Sequence, residues 1–75
     1  MIVSEFRDLV SGVADQMGSV KSAANAGEKE RELCRLQNLV AELRVIVWPA
    51  RLSERDRTKA LRVRKQANYL IARAV

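Results

Sequence analysis

The chain has 75 residues, of which 48% are hydrophobic and 31% charged, and its formal net charge is +5. That composition is too apolar for a disordered tail, and the length suits one domain, residues 1–75, with a small core. A single cysteine excludes an intramolecular disulfide, and the lack of histidine argues against a structural zinc site.

The positive charge belongs to the last third of the chain. Residues 1–50 carry six Lys or Arg against seven Asp or Glu, whereas residues 51–75 carry eight against two. Such asymmetry indicates a polyanionic or acidic partner. The longest uncharged apolar run, VIVWPA, is far shorter than a membrane span, and the N-terminal stretch lacks a signal-peptide pattern. We therefore expect cytoplasmic residence and no membrane partner.

The first predicted helix covers residues 4–24. Apolar side chains recur at alternating spacings of three and four, which places them on one face of a helix. This predicted core face consists of Val3, Phe6, Val10, Val13, Met17, Val20 and Ala24, with Leu9 beside it. Ser4 is expected to cap the helix, because its hydroxyl can accept a hydrogen bond from an early backbone N–H.

The stretch NAGE, from Asn25 to Glu28, predicts a break between the first and second helices. Gly27 can adopt the backbone angles that end a helix, and Asn25 with Glu28 three residues later has the form of a capping box. One uninterrupted helix through this stretch is the alternative.

The second predicted helix covers residues 28–48 and is apolar on two opposite sides. The core face consists of Leu33, Leu36, Val40, Leu43 and Val47, with Leu39 and Ile46 alongside. A second set, which we call the outer strip, lies about 160° from the first at 3.6 residues per turn. The outer strip consists of Cys34, Asn38, Ala41, Val45 and Trp48. A helix with two apolar sides requires neighbours on both.

Three interpretations of the outer strip remain open. The first and third helices could flank the second within a monomer, the strip could be an oligomer interface, or the β-branched run Val45–Trp48 could form a strand. Flanking on opposite sides would leave a flat layer with a poorly closed core, so we expect a dimer or higher oligomer. Cys34 is expected to be a small packing residue, with a thiol near a dimer axis as the alternative.

The third predicted helix covers residues 53–74. Pro49 disfavours helical geometry at Trp48 and so separates this helix from the second. Ser53 is expected to cap it, with Asp56 as the acidic partner three residues later. The predicted core face consists of Ala60, Val63, Ala67, Leu70, Ile71 and Ala74.

On the third helix, the side away from the core face carries cations around one aromatic residue, which we call the basic strip. Its members are Arg55, Lys59, Arg62, Lys65, Tyr69 and Arg73, whereas Arg57 and Arg64 border the core face. The strip is about 27 Å long at 1.5 Å per residue, enough to follow several phosphates. Tyr and Arg are also enriched in protein–protein hot spots. A solvated helix face is the third interpretation.

No sequence motif indicates catalysis. The chain has no Gly-rich phosphate loop and no nucleophile elbow, and without histidine it lacks the usual proton shuttle and metal ligand. We therefore expect no catalytic residue, no metal, no cofactor and no small-molecule substrate.

These patterns predict an all-α bundle of three helices, a helix hairpin plus a basic C-terminal helix, packed as an oligomer. The leading hypothesis is a non-enzymatic adaptor, regulator or inhibitor that self-associates and docks on a macromolecular partner, an acidic protein surface or a nucleic acid, through the basic strip. A DNA- or RNA-binding protein using the same helix is the first alternative, and residues 13–27 carry part of a helix-turn-helix pattern. A structural assembly subunit is the second.

Overall fold

The computed structural model describes residues 1–74, and these residues form three α-helices and no strand. The helices are α1 (Val3–Lys21), α2 (Ala26–Val45) and α3 (Glu54–Ala74). Each contacts the other two, in a bundle of 41 × 18 × 17 Å. The all-α, three-helix prediction is confirmed, whereas one continuous helix and a strand at Val45–Trp48 are both wrong. Val75, the last residue of the predicted domain, lies outside the described residues.

The core lies along the line where the three helices meet. Each helix contributes the apolar side chains of one face, as the spacing of three and four predicted. The buried side chains are Phe6, Val10, Val13, Met17, Val20, Leu36, Val40, Leu43, Leu52, Ala60, Val63 and Ala67. Leu33, Leu39, Ile46, Leu70 and Ile71 are half-buried against them. Ala24, Val47 and Ala74, also predicted on the core faces, are exposed.

The three helices enclose this core, so the prediction that a monomer would form a flat layer with a poorly closed core is wrong, and that reason for expecting an oligomer no longer holds. Had α1 and α3 lain on opposite sides of α2, they could not have touched, but they pack on each other as well as on α2. Two polar contacts tie the elements together at the surface. The side-chain amide of Gln16 donates to the Glu32 carbonyl of α2 at 2.9 Å, and Arg7 of α1 pairs with Asp56 of α3 at 2.9 Å.

The connection between α1 and α2 begins earlier than predicted, because α1 ends at Lys21 rather than at residue 24. The Ser22 backbone N–H donates to the Gly18 carbonyl at 3.0 Å, and the Ser22 hydroxyl donates to the same carbonyl at 2.9 Å, so Ser22 closes the end of the helix. Asn25 caps α2 as predicted, accepting from the Glu28 N–H at 2.8 Å. Gly27 does not end α1, since it lies inside α2 without a positive φ.

At the start of α1 the predicted cap is wrong. The N-cap position is Ile2, which has no side-chain cap hydrogen bond, and Ser4 lies inside the helix. The Phe6 N–H already donates to the Ile2 carbonyl at 3.1 Å. The helix therefore begins before Ser4, since burial of Phe6 on the core stabilises this turn without a polar cap.

The end of α2 also differs from the prediction, because the helix stops at Val45 instead of residue 48. Trp48 turns back onto the bundle, and its ring centroid lies 5.0 Å from that of Phe6. The indole N–H of Trp48 donates to the Leu43 carbonyl at 3.2 Å, one of the carbonyls that the helix end leaves free. Val47, predicted on the core face, is 84% exposed because the chain there is extended rather than helical.

Candidate partner-binding surface

The basic strip lies on α3, and all six of its side chains are exposed as predicted. Part of it borders α1. Lys59 lines a hollow of about 160 Å³ with Phe6, Arg7 and other residues, and Tyr69 and Arg73 line a larger groove with α1 residues further along. The strip therefore follows one flank of the α1–α3 contact.

The first turn of α3 is held by a small polar network. The Asp56 N–H donates to the Ser53 hydroxyl oxygen at 3.1 Å, which is the predicted cap. The Ser53 hydroxyl in turn donates to the Asp56 carboxylate at 3.0 Å, and Arg7 donates to the same oxygen through two nitrogens, at 2.9 and 3.1 Å. These contacts orient the beginning of the helix that carries the basic strip.

Hydrogen bonding sets the charge state of this network. The hydrogen bond from Arg7, followed by that from Ser53, holds the pKa of Asp56 below its ordinary value. The same contact with Asp56 raises the pKa of Arg7. Both groups therefore stay ionised near neutral pH, and Asp56 neutralises Arg7, a cation outside the strip.

The cations of the basic strip have no comparable partner. Within residues 1–74 the ion pairs are Arg7 with Asp56 and Arg35 with Glu32. Neither involves a strip residue. Lys59 lies close enough to Asp56 to help lower the pKa of that carboxyl, and Glu54 lines a hollow with Arg55 and Arg62, but none of the strip's five exposed cations forms a direct ion pair within residues 1–74.

Near the C-terminal end of the strip, cation and aromatic ring are in contact. The Arg73 guanidinium carbon lies 5.6 Å from the centroid of the Tyr69 ring, and that ring is 64% exposed. An arginine over a tyrosine face is a favourable cation–π arrangement. The pair presents a positive, partly apolar patch to solvent.

An open groove of about 480 Å³ extends this patch across the end of the bundle, and we call it the end groove. All three helices contribute to it, since the last turns of α1 and α3 meet the first turn of α2 here. Its lining residues are Met17, Lys21, Lys29, Gln66, Tyr69, Leu70, Arg73 and Ala74. Neither Lys21 nor Lys29 has a role predicted from the sequence. No local pattern could have found them, because they are far from Arg73 along the chain.

Arg64 takes the position predicted at the border of the core face. It is half-buried, and its guanidinium carbon lies 5.9 Å from the Trp48 ring centroid. The aliphatic part of such a side chain covers apolar surface while the charged end reaches water. Arg57, predicted beside it, is exposed.

The outer strip loses one of its five predicted members. Trp48 lies beyond the helix end and packs on Phe6, so it does not continue the line of the other four. Those four, Cys34, Asn38, Ala41 and Val45, are exposed on α2, and Val45 is 77% exposed. Their role in an oligomer interface stays a prediction.

Residues 1–74 contain no group of three or more His, Cys, Asp or Glu side chains placed to hold a metal ion. None of α1, α2 and α3 combines the length with the apolar character that a membrane-crossing helix requires. Comparison with protein-family models, curated proteins and solved structures finds no match to this chain.

Proposed function

We propose that this protein is a non-enzymatic interaction module that docks on an acidic protein surface through the basic strip and so acts as an adaptor, regulator or inhibitor. The observation that carries the proposal is the row of five exposed cations on α3, none of which forms an ion pair within residues 1–74. Surface cations without partners raise the encounter rate with an acidic partner and select against basic ones.

The contact between Tyr69 and Arg73 favours a protein partner over a nucleic acid. Tyr and Arg dominate protein–protein hot spots, and here they form one patch. Single-stranded nucleic acids are bound by several aromatic rings that stack successive bases, whereas the basic strip has one ring. Duplex DNA, which needs only the cations, remains the alternative that the experiment must separate.

Charge reversal on the strip tests the proposal. In Arg55→Glu with Arg62→Glu, two exposed cations on the same flank of α3 become acidic. We expect binding of a fluorescent Glu-rich peptide, measured by anisotropy, to weaken by about tenfold or more. The helical circular dichroism should not change, because exposed substitutions shift stability by about 0.5 kcal/mol or less.

The matched control is Arg31→Glu with Arg51→Glu, which makes the same charge change at exposed positions of α2 and of the loop after it. It should retain most of the binding. Equal loss in both variants would mean that net charge alone attracts the peptide, and no loss in either would leave the strip as solvated surface.

Salt titration separates the two classes of partner. Binding to a DNA duplex should fall steeply with salt, with a logarithmic slope near −0.9 per phosphate neutralised, whereas an acidic protein loses mainly association rate. Tighter binding of the duplex than of the Glu-rich peptide near physiological salt would favour the nucleic-acid alternative.

We also propose that two or more copies associate through the four exposed residues of the outer strip. An exposed valine beside an alanine and a cysteine on a helix face is typical of a modest helix–helix contact. Association would present more than one basic strip to the same partner and raise its apparent affinity without a new contact.

A further inference from the structure

The end groove differs from the rest of the basic surface in its construction. Its three cations come from three different helices: Lys21 from α1, Lys29 from α2 and Arg73 from α3. They surround a floor that includes Met17, which is buried, and Leu70, which is half-buried. The groove therefore combines positive charge from three helices with an apolar surface.

Among residues 1–74, no acidic side chain lines this groove. Two carboxylates flank Lys29 in the sequence: Glu28 accepts a hydrogen bond from the Ala24 N–H at 3.3 Å as part of the helix cap, and Glu30 is exposed and does not line the groove. None of the groove's three cations forms an ion pair within residues 1–74. By contrast, the hollow of about 160 Å³ beside Phe6 contains Asp56, which already neutralises Arg7.

We propose that the end groove anchors the partner by taking an acidic peptide segment that also carries an apolar side chain. The apolar side chain lies on Met17 and Leu70 beside the Tyr69 ring, and flanking carboxylates pair with Lys21, Lys29 and Arg73. This inference rests on the proposed function, since it names the part of an acidic protein that the basic surface recognises.

The size and chemistry of the groove suit this ligand. Its volume of about 480 Å³ lies within the range of about 300–1,000 Å³ that is usual for ligand pockets. Met17 has a flexible thioether side chain that adapts to the shape of an apolar group. A free phosphate or a sugar–phosphate backbone would use the cations but leave the apolar floor uncovered, which is why we assign a peptide.

The experiment compares two fluorescent peptides with the full chain by anisotropy. Both consist of Glu residues around one variable position, which is Leu in the first peptide and Ala in the second. We expect the Leu peptide to bind about tenfold more tightly than the Ala peptide, because its larger side chain covers the apolar floor. Equal affinities would overturn the inference.

Two variants then locate the binding. The double variant Lys21→Gln with Lys29→Gln should bind the Leu peptide about tenfold more weakly than the native chain does. The difference in affinity between the Leu peptide and the Ala peptide should also become smaller. The control variant Arg31→Gln with Arg51→Gln removes two positive charges outside the end groove. It should change neither the affinity for the Leu peptide nor the difference in affinity between the two peptides. Circular dichroism shows whether each variant keeps its helices, and both substituted pairs are exposed.

The outcomes separate this inference from the proposed function. If Lys21→Gln with Lys29→Gln binds normally while Arg55→Glu with Arg62→Glu does not, the end groove is not the anchor and the basic strip still is. If neither pair affects binding, both proposals are wrong.

Discussion

Trp48 is the residue whose role changes most between sequence and structure. Its spacing from Val45 placed it on the outer strip, but its ring packs on Phe6 and its indole N–H closes the end of α2 on the Leu43 carbonyl. Aromatic pairs in such tilted contact add about 0.5–1.5 kcal/mol beyond the area that they bury. Trp48 therefore stabilises the monomer.

Replacement of this ring tests that role. We expect Trp48→Ala to lower the free energy of unfolding by about 2–3 kcal/mol, less than the 3–5 kcal/mol of a fully buried ring because Trp48 is half-buried. Urea denaturation provides the measurement. The neighbouring Val47→Ala, at an exposed position, should cost about 0.5 kcal/mol or less, and equal costs would contradict the assignment.

Asp56 gives the fold an acid-sensitive contact. Because its pKa is lower in the folded chain than in the unfolded one, its stabilisation is fully present above the ordinary aspartate pKa. It is lost as the pH falls through the lowered value. The urea midpoint should therefore be level from about pH 7 to about pH 5 and fall below about pH 4.

The variant Asp56→Asn isolates this contribution from that of the other carboxylates. It should be less stable than the native chain at neutral pH, and the gap should narrow as the pH falls. A constant gap across the whole range would show that the charge of Asp56 contributes nothing to stability.

Among the elements, α1 contains a glycine, Gly18, whose replacement by alanine should stabilise the helix. Gly18 lies inside the helix, is exposed, has no positive φ, and a β-carbon added there would meet no atom within 4 Å. Glycine inside a helix costs roughly 0.5–1 kcal/mol relative to alanine. We expect Gly18→Ala to raise the melting temperature by about 2–8 °C, measured by thermal circular dichroism.

Gly27→Ala is the comparison for this prediction. Gly27 lies in the first turn of α2, where an added β-carbon would make an ordinary van der Waals contact, 3.5 Å, with the Asn25 side-chain oxygen that caps the helix. Because this apolar group would lie against a polar oxygen, the rise in melting temperature should be smaller than that of Gly18→Ala. A fall in melting temperature for Gly18→Ala would contradict the account of α1.

The helix caps show which boundaries could be predicted from sequence. Asn25 and Ser53 both accept the N–H three residues later, as predicted, because the geometry of a cap depends on neighbouring residues alone. Ser4 has the same chemistry but lies inside α1. The start of α1 instead depends on the packing of Phe6 on the core, and that packing involves residues that are distant in the sequence.

At the scale of the whole molecule, exposed apolar side chains lie at the end of the bundle opposite the end groove. Ile2 is 62% exposed beside the start of α1, and Val45 and Val47 are exposed at the end of α2. Because α1 and α2 run in opposite directions, these termini belong to the same end. These exposed apolar side chains therefore lie at the end of the molecule where α3 begins, beside the first cations of the basic strip, Arg55 and Lys59.

This distribution suits the proposed self-association. We expect light scattering to give a dimer or larger species at micromolar concentration, and Val45→Lys to return the monomer, because a charge in the contact would be desolvated without a partner. Ala50→Lys adds the same charge at an exposed position of the loop and should leave the mass unchanged. A monomer in the native chain would contradict the proposal.

The helices, their core faces and the exposure of the basic strip were all predictable from the sequence. Helical periodicity and caps depend on residues within a few positions of one another, so Phe6, Leu36 and Val63 could be assigned to the core without knowledge of the fold. The same periodicity placed Arg55 and Arg62 on the solvent side of α3.

Only the tertiary structure decided which distant residues meet. Lys21, Lys29 and Arg73 line one groove because the helices alternate in direction and bring three separate termini to the same end of the bundle. The packing of the helices also brings Arg7 of α1 to Asp56 of α3, and it brings Trp48, which follows the end of α2, onto Phe6. The closed bundle brings the ends of all three helices together, and contacts between those ends depend on long-range packing that no local spacing encodes.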